Sequence, residues 1–84
     1  MMDKSFVEVY IPILEKVYDV FIPRDLQIGI VLQVIKRLIA TLNKDEFTCI
    51  EGGLLCNRIS GAAYDNNLFV WETEISNGSK LMII

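Results

Sequence analysis

At 84 residues, with 52% of them hydrophobic, the chain is expected to form a single domain over 1–84 with one efficiently used core. Its formal charge of −3, from 8 Lys plus Arg against 11 Asp plus Glu, shows no basic stripe, so nucleic acid is not expected among its partners. It contains no histidine, no cationic leader followed by an apolar run and no uncharged stretch of membrane-spanning length, so a cytoplasmic protein without membrane insertion, metal or other cofactor is expected.

Residues 6–14 predict the first strand, in which Val7, Val9, Ile11 and Ile13 alternate with Glu8, Tyr10 and Pro12. Pro12 cannot donate to a ladder, which places it near an edge, a bulge or the end of the strand. After Glu15-Lys16, residues 17–22 predict a second strand with Tyr18, Val20 and Ile22 on one face, closed by Pro23. The two strands form a hairpin.

Beyond Asp25 the apolar period changes from two to three and four, through Ile28, Val31, Val34, Ile35, Leu38, Ile39 and Leu42. This predicts a helix that Asp25 or Gln27 could cap and that ends at Asn43, with Lys36 and Arg37 in the half where the dipole favours cations. Gly29 lowers helix propensity by about 1 kcal/mol relative to alanine; a close approach to the sheet would explain it. The polar side, Gln33, Lys36, Arg37 and Thr41, is narrow. Ile28, Leu32 and Ile39 form a second apolar stripe beside Val31, Val34, Leu38 and Leu42. One sheet need not cover both, and the surplus stripe, taken as centred on Leu32 and Ile39, is either roofed by loops or is a docking or dimer surface.

The second half is less regular. Gly52-Gly53 interrupts, residues 54–59 predict a short third strand, and the small residues of 60–65 suit a tight turn or a very short edge strand. Asn66-Asn67 is a turn, while residues 68–75 read equally as a strand or as one helical turn. Asn77-Gly78 supplies the positive φ of a tight connection into a terminal strand over 80–84. Its apolar character suits a buried place beside and parallel to the first strand. The whole is an α+β arrangement.

Catalytic parts are sparse. Without histidine, a nucleophile would have to be Cys49 or Cys56, and neither has an adjacent cation to lower its pKa. Seven residues apart, they match neither a redox pair nor half of a zinc site, and they read as reduced, buried thiols. Glu72 and Glu74 read as solvated charges beside a turn, and Gly52-Gly53 lacks the rest of a phosphate loop. No enzyme activity is expected. Tyr64, Phe69 and Trp71 either finish the core or form an exposed patch, with Trp71 the natural anchor.

The order of elements and the closing set Leu68, Ile75, Asn77, Gly78, Ser79, Leu81 and Ile83 resemble the ubiquitin-like β-grasp fold. That resemblance implies a mixed sheet of four to five strands packed on one helix, and a single helical turn around 69–73. The stretch "VFIPRDLQIGIVLQVIKRL", with the later Asn-Gly turn, further resembles the YukD/EsaB group, small bacterial proteins associated with type VII (WXG100) secretion loci. This likeness implies a non-enzymatic, accessory or regulatory component acting through protein partners, possible partners being secretion-machinery proteins or a second copy in a homodimer. An alternative is a dimerisation or adaptor domain of an unrelated cytoplasmic assembly. A ubiquitin-type modifier or sulfur carrier is disfavoured, since Met82-Ile83-Ile84 stands where a flexible Gly-Gly would be needed. The candidate interaction surface is Leu32, Ile39, Phe69 and Trp71.

Overall fold

A computed structural model of the chain describes residues 4–42 and 53–84. The hairpin pairs β1 (Lys4–Ile11) with β2 (Lys16–Pro23), antiparallel and in register from Lys4 opposite Pro23 to Ile11 opposite Lys16. Pro12 sits just past the end of β1, in a turn closed by bonds from the Leu14 and Glu15 N–H groups to the Ile11 and Pro12 carbonyls. Ile13 therefore leaves the alternation and is exposed, whereas Val7, Val9 and Ile11 are buried. A period-two pattern continues only as long as the strand does.

The helix α1 (Ile28–Leu42) crosses one face of a sheet whose order is β2-β1-β4-β3, with β3 spanning Leu55–Asn57 and β4 Lys80–Ile83. β4 lies between β1, to which it is parallel, and β3, to which it is antiparallel. Its central position explains its composition: Leu81 and Ile83 are buried among Val7, Val9, Ile11, Ile28, Ile35 and Leu55. Each such aliphatic side chain contributes about 1.5–3 kcal/mol by leaving water. Ile84 is also held, its N–H and C=O both bonded to Leu54. Residues 60–65 make a tight return in which Ala63 bridges Cys56, with Gly61 at φ 78°. This is the β-grasp arrangement that the closing residues resemble, with four strands among the described residues.

The helix start differs from expectation in its capping. Neither Asp25 nor the Gln27 side chain caps it; Ile28 and Gly29 donate instead to the carbonyls of Leu68 and Asn66, at 2.8 and 3.0 Å. The otherwise unpaired N–H groups of the first turn are thus satisfied by a distant loop. Gly29 owes its identity to that loop and not to the sheet, because a Cβ there would stand 3.3 Å from the Asn66 Cβ and 3.4 Å from its carbonyl oxygen. Asn43 and Cys49 lie outside the described residues.

The segment after the loop is the single helical turn, Val70–Glu72. Its backbone is pinned to the chain between β2 and α1, since the Val70 N–H donates to the Leu26 carbonyl and the Trp71 N–H to the Arg24 carbonyl. Arg24 reaches back with its guanidinium to the buried Ser5 hydroxyl and the Ile75 carbonyl, at 3.3 and 3.0 Å. The Asn77-Gly78 turn, with Gly78 at φ 87°, bonds to β1 through the Asn77 side chain and the Gly78 N–H.

Candidate interaction surface

Two apolar stripes do run along α1, but the exposed one is not the one that the pattern suggested. Leu32 and Ile39 are 3% and 2% exposed and share the core with Ile28, Val31 and Ile35. The solvent-facing stripe is Ile30, Val34, Leu38 and Leu42, with Val34 51% and Leu38 43% exposed. Geometry explains the exchange. Spacings of four, three and four along Ile28, Leu32, Ile35 and Ile39 keep to one straight face, whereas successive spacings of four drift by about 40° each at about 100° per residue. The signal was present in Ile35, which belongs to the straight run. The segment 66–75 adds Val70 and Ile75 to the same core, and its long-range docking is not visible in helix periodicity.

Around the exposed stripe the surface remains apolar. A shallow groove of ≈ 70 Å³ between α1 and the edge strand β2 is lined by Phe21, Pro23, Leu26, Val31, Val34 and Ile35. Phe21 is 67% exposed and its ring lies 4.9 Å from that of Phe6 on the outer face of the sheet. A second hollow along the helix is lined by Val34, Arg37, Leu38 and Thr41. Sequence reading passed over Phe21, whose place on the solvent-facing side of its strand follows from Tyr18, Val20 and Ile22 being on the other.

Phe69 and Trp71 are placed at the surface, 37% and 58% exposed, and stack with centroids 6.1 Å apart and rings inclined by 17°. Val70 between them is fully buried, so the helical turn forces its neighbours outward. The Glu72 carboxylate accepts from the Phe69 N–H at 2.9 Å and fixes that turn. Tyr64 parts from the other aromatics in role, packing half-buried against the core. Its hydroxyl is buried without a hydrogen-bond partner among the described residues, and burial, reinforced by the neighbouring Glu74 carboxylate, pushes its pKa up to about 12.

The outer face of the sheet is polar and internally paired near its centre. Glu8 meets Lys80 at 3.1 Å and Arg58 at 3.7 Å, and the Arg58 guanidinium lies 4.4 Å from the centre of the Tyr10 ring. Cys56 is buried beneath its neighbours, and burial pushes its thiol up, so it is held in the neutral form. Among the described residues, no helix is long and apolar enough to cross a membrane.

No family of known proteins and no curated relative matches the chain in sequence. Solved structures do match it. The EccD5 ubiquitin-like domain from Mycobacterium xenopi superposes with a TM-score of 0.80 at 17% identity, covering 98% of this chain and 93% of that one. The ubiquitin-like domain of the Mycobacterium tuberculosis type VII secretion system protein EccD1 gives 0.74 at 10% identity over 99% of both chains. A chain of the MycP5-free ESX-5 inner membrane complex gives 0.78 at 15% identity; it covers 96% of this chain, which spans only 20% of that longer one. At such identities the likeness establishes the fold, a ubiquitin-like β-grasp.

Proposed function

We propose that this domain is a non-catalytic ubiquitin-like interaction module, serving as an accessory or regulatory component of a bacterial type VII (WXG100) secretion system in the cytoplasm. The observation that carries the reading is the exposed apolar stripe of α1, Val34 and Leu38 above all, continuous with the groove against β2. A helix in a small domain already has a full core on one face. A second apolar face kept in water is the mark of a protein contact. The secretion assignment is supported by the shape shared with ubiquitin-like domains of secretion proteins and by the likeness of residues 20–38 to the YukD/EsaB group.

The test is crosslinking and affinity capture of the tagged chain from cells that carry a type VII locus, beside the Val34→Glu/Leu38→Glu variant. The parent should recover components of the secretion apparatus, the variant should lose them, and deleting the gene should change the amount of WXG100 protein in the medium. If the parent recovers no such component and deletion leaves secretion unaltered, the secretion assignment is wrong. Recovery of an unrelated assembly through the same stripe would instead favour an adaptor domain.

A further inference from the structure

The outward face of α1 is a groove between two ridges. At about 100° per residue, Ile30, Val34, Leu38 and Leu42 line up as one ridge of four-residue spacing, and Gln33, Arg37 and Thr41 as the next. The hollow of ≈ 290 Å³ lined by Val34, Arg37, Leu38 and Thr41 is the middle of the groove between them. It is separate from the groove against β2, because Val31 and Ile35 flank Val34 on that side and Arg37 and Thr41 on this one. One wall is apolar and the other polar, with Arg37 on the side of the helix opposite the buried Ile28, Leu32 and Ile39. The Thr41 hydroxyl donates to the Arg37 carbonyl at 3.0 Å and is satisfied within the helix. Such a groove accepts the four-residue ridge of a second helix, with the axes crossing at about 50°. An extended strand repeats every second residue and has no such ridge.

Charge says what kind of helix belongs there. From Ile28 to Leu42, α1 carries no carboxylate but two cations, Lys36 and Arg37, on a chain whose formal charge is −3. Arg24 is engaged by the Ser5 hydroxyl and the Ile75 carbonyl, and Arg58 by Glu8 and the Tyr10 ring. Lys36 and Arg37 meet no carboxylate among the described residues, and Arg37 stands in the hollow itself. A second copy is a poor occupant, since a two-fold antiparallel pairing centred on the stripe sets the two Arg37 side chains next to each other, where like charges repel. An anionic bilayer is a poor one too. Two cations are far fewer than the basic cluster that holds a peripheral helix on lipid, and the chain as a whole is net negative.

We infer that the outward face of α1 seats an acidic amphipathic helix of a partner protein, its apolar ridge lying in the groove beside Val34 and Leu38 and a flanking carboxylate meeting Arg37. The inference rests on reading the domain as an interaction module and names the chemistry of its partner. Covering Val34 and Leu38 supplies affinity. The Arg37 guanidinium, at the margin of that covered patch, selects an acidic helix over a basic one, and Lys36 adds to the same field.

The test is a titration of the ¹⁵N-labelled full chain with an acetylated, amidated peptide of three Leu-Glu-Ala-Ala-Leu-Glu-Ala repeats and with its counterpart carrying lysine for glutamate, followed by amide NMR shifts. The glutamate peptide should shift the amides of Val34, Arg37, Leu38 and Thr41 and bind about ten-fold more tightly than the lysine peptide. Added salt should shrink that margin. Arg37→Gln should remove most of the preference and Arg37→Glu should invert it, both leaving the urea midpoint near that of the parent, as for exposed changes. A proline in the middle repeat of the glutamate peptide, which breaks its helix, should abolish binding. The inference is overturned if those amides do not move, if the two charged peptides bind alike, or if the proline peptide binds as well as its parent. It is equally overturned if the shifts follow protein concentration without peptide, as for a second copy, or if phosphatidylglycerol vesicles perturb these amides and the glutamate peptide does not. Its failure is separable from that of the proposed function. Equal peptide affinities would leave the capture of secretion components standing, and failed capture would leave the peptide preference standing.

Discussion

The two apolar stripes of α1 are nearly alike in composition and opposite in fate. Ile28, Leu32, Ile35 and Ile39 are sealed beneath the sheet, while Ile30, Val34, Leu38 and Leu42 face solvent one third of a turn away. Hydrophobicity alone therefore does not assign a residue to the core; the element that covers it does. Residues the fold leaves uncovered are free to be used on a partner, so the same side-chain types that hold the domain together on one face are the ones proposed to meet another protein on the next.

The hardest way to break this comparison is to attack the sealed stripe. Leu32→Ala should lower unfolding free energy by about 2–5 kcal/mol in urea titration, through lost burial and the cavity left behind. Leu32→Glu/Ile39→Glu should fail to give a cooperative transition at all, since two carboxylates would enter the core. A mild effect of these changes would mean that the sealed stripe is not the core.

A smaller effect is expected at Arg24, which joins the sealed region to the surface turn. Arg24→Ala removes the donor for the Ser5 hydroxyl and the Ile75 carbonyl and should cost about 1–3 kcal/mol. The loss should be visible as a lowered urea midpoint.

Amide hydrogen exchange sharpens the contrast on the strand beside the helix. Val17, Asp19 and Phe21 should exchange much faster than Val20 and Ile22, because the former point to solvent and the latter to β1. Uniform protection along β2 would contradict the open edge.

The smallest effect belongs to Tyr64, packed between core and surface. With its folded pKa pushed up to about 12 from the ordinary 10.0, its contribution to stability is intact below pH 10 and is lost as pH rises through about 12, because the unfolded chain releases the proton first. Tyr64→Phe should remove that alkaline loss and, having no unpartnered hydroxyl to bury, change stability near neutral pH by no more than about 1 kcal/mol. Chemical denaturation at a series of alkaline pH values reads both.

Much of this architecture is legible in local pattern. Val7, Val9 and Ile11 alternate as strand residues do, Asn77-Gly78 marks its turn, and the central place of β4 follows from its unbroken apolar run. The resemblance decided what periodicity left open, the helical turn at Val70–Glu72. Long-range features were not legible: the carbonyls of Asn66 and Leu68 that cap α1, and the loop that requires Gly29. Phe69 and Trp71 lie at the surface as their place around the buried Val70 requires, whereas Leu32 and Ile39 exchanged roles with Val34 and Leu38, an exchange that the straight run Ile28, Leu32, Ile35 and Ile39 marks in the sequence itself.

The central claim is that Val34 and Leu38 serve recognition and not folding. It is tested most directly by equilibrium urea unfolding of the Val34→Glu/Leu38→Glu variant beside the parent. The account predicts unfolding free energies within about 0.5–1 kcal/mol of each other, as for exposed surface changes. A loss of several kcal/mol, comparable with that of Leu32→Ala, would show that the outer stripe is part of the fold and would contradict the account.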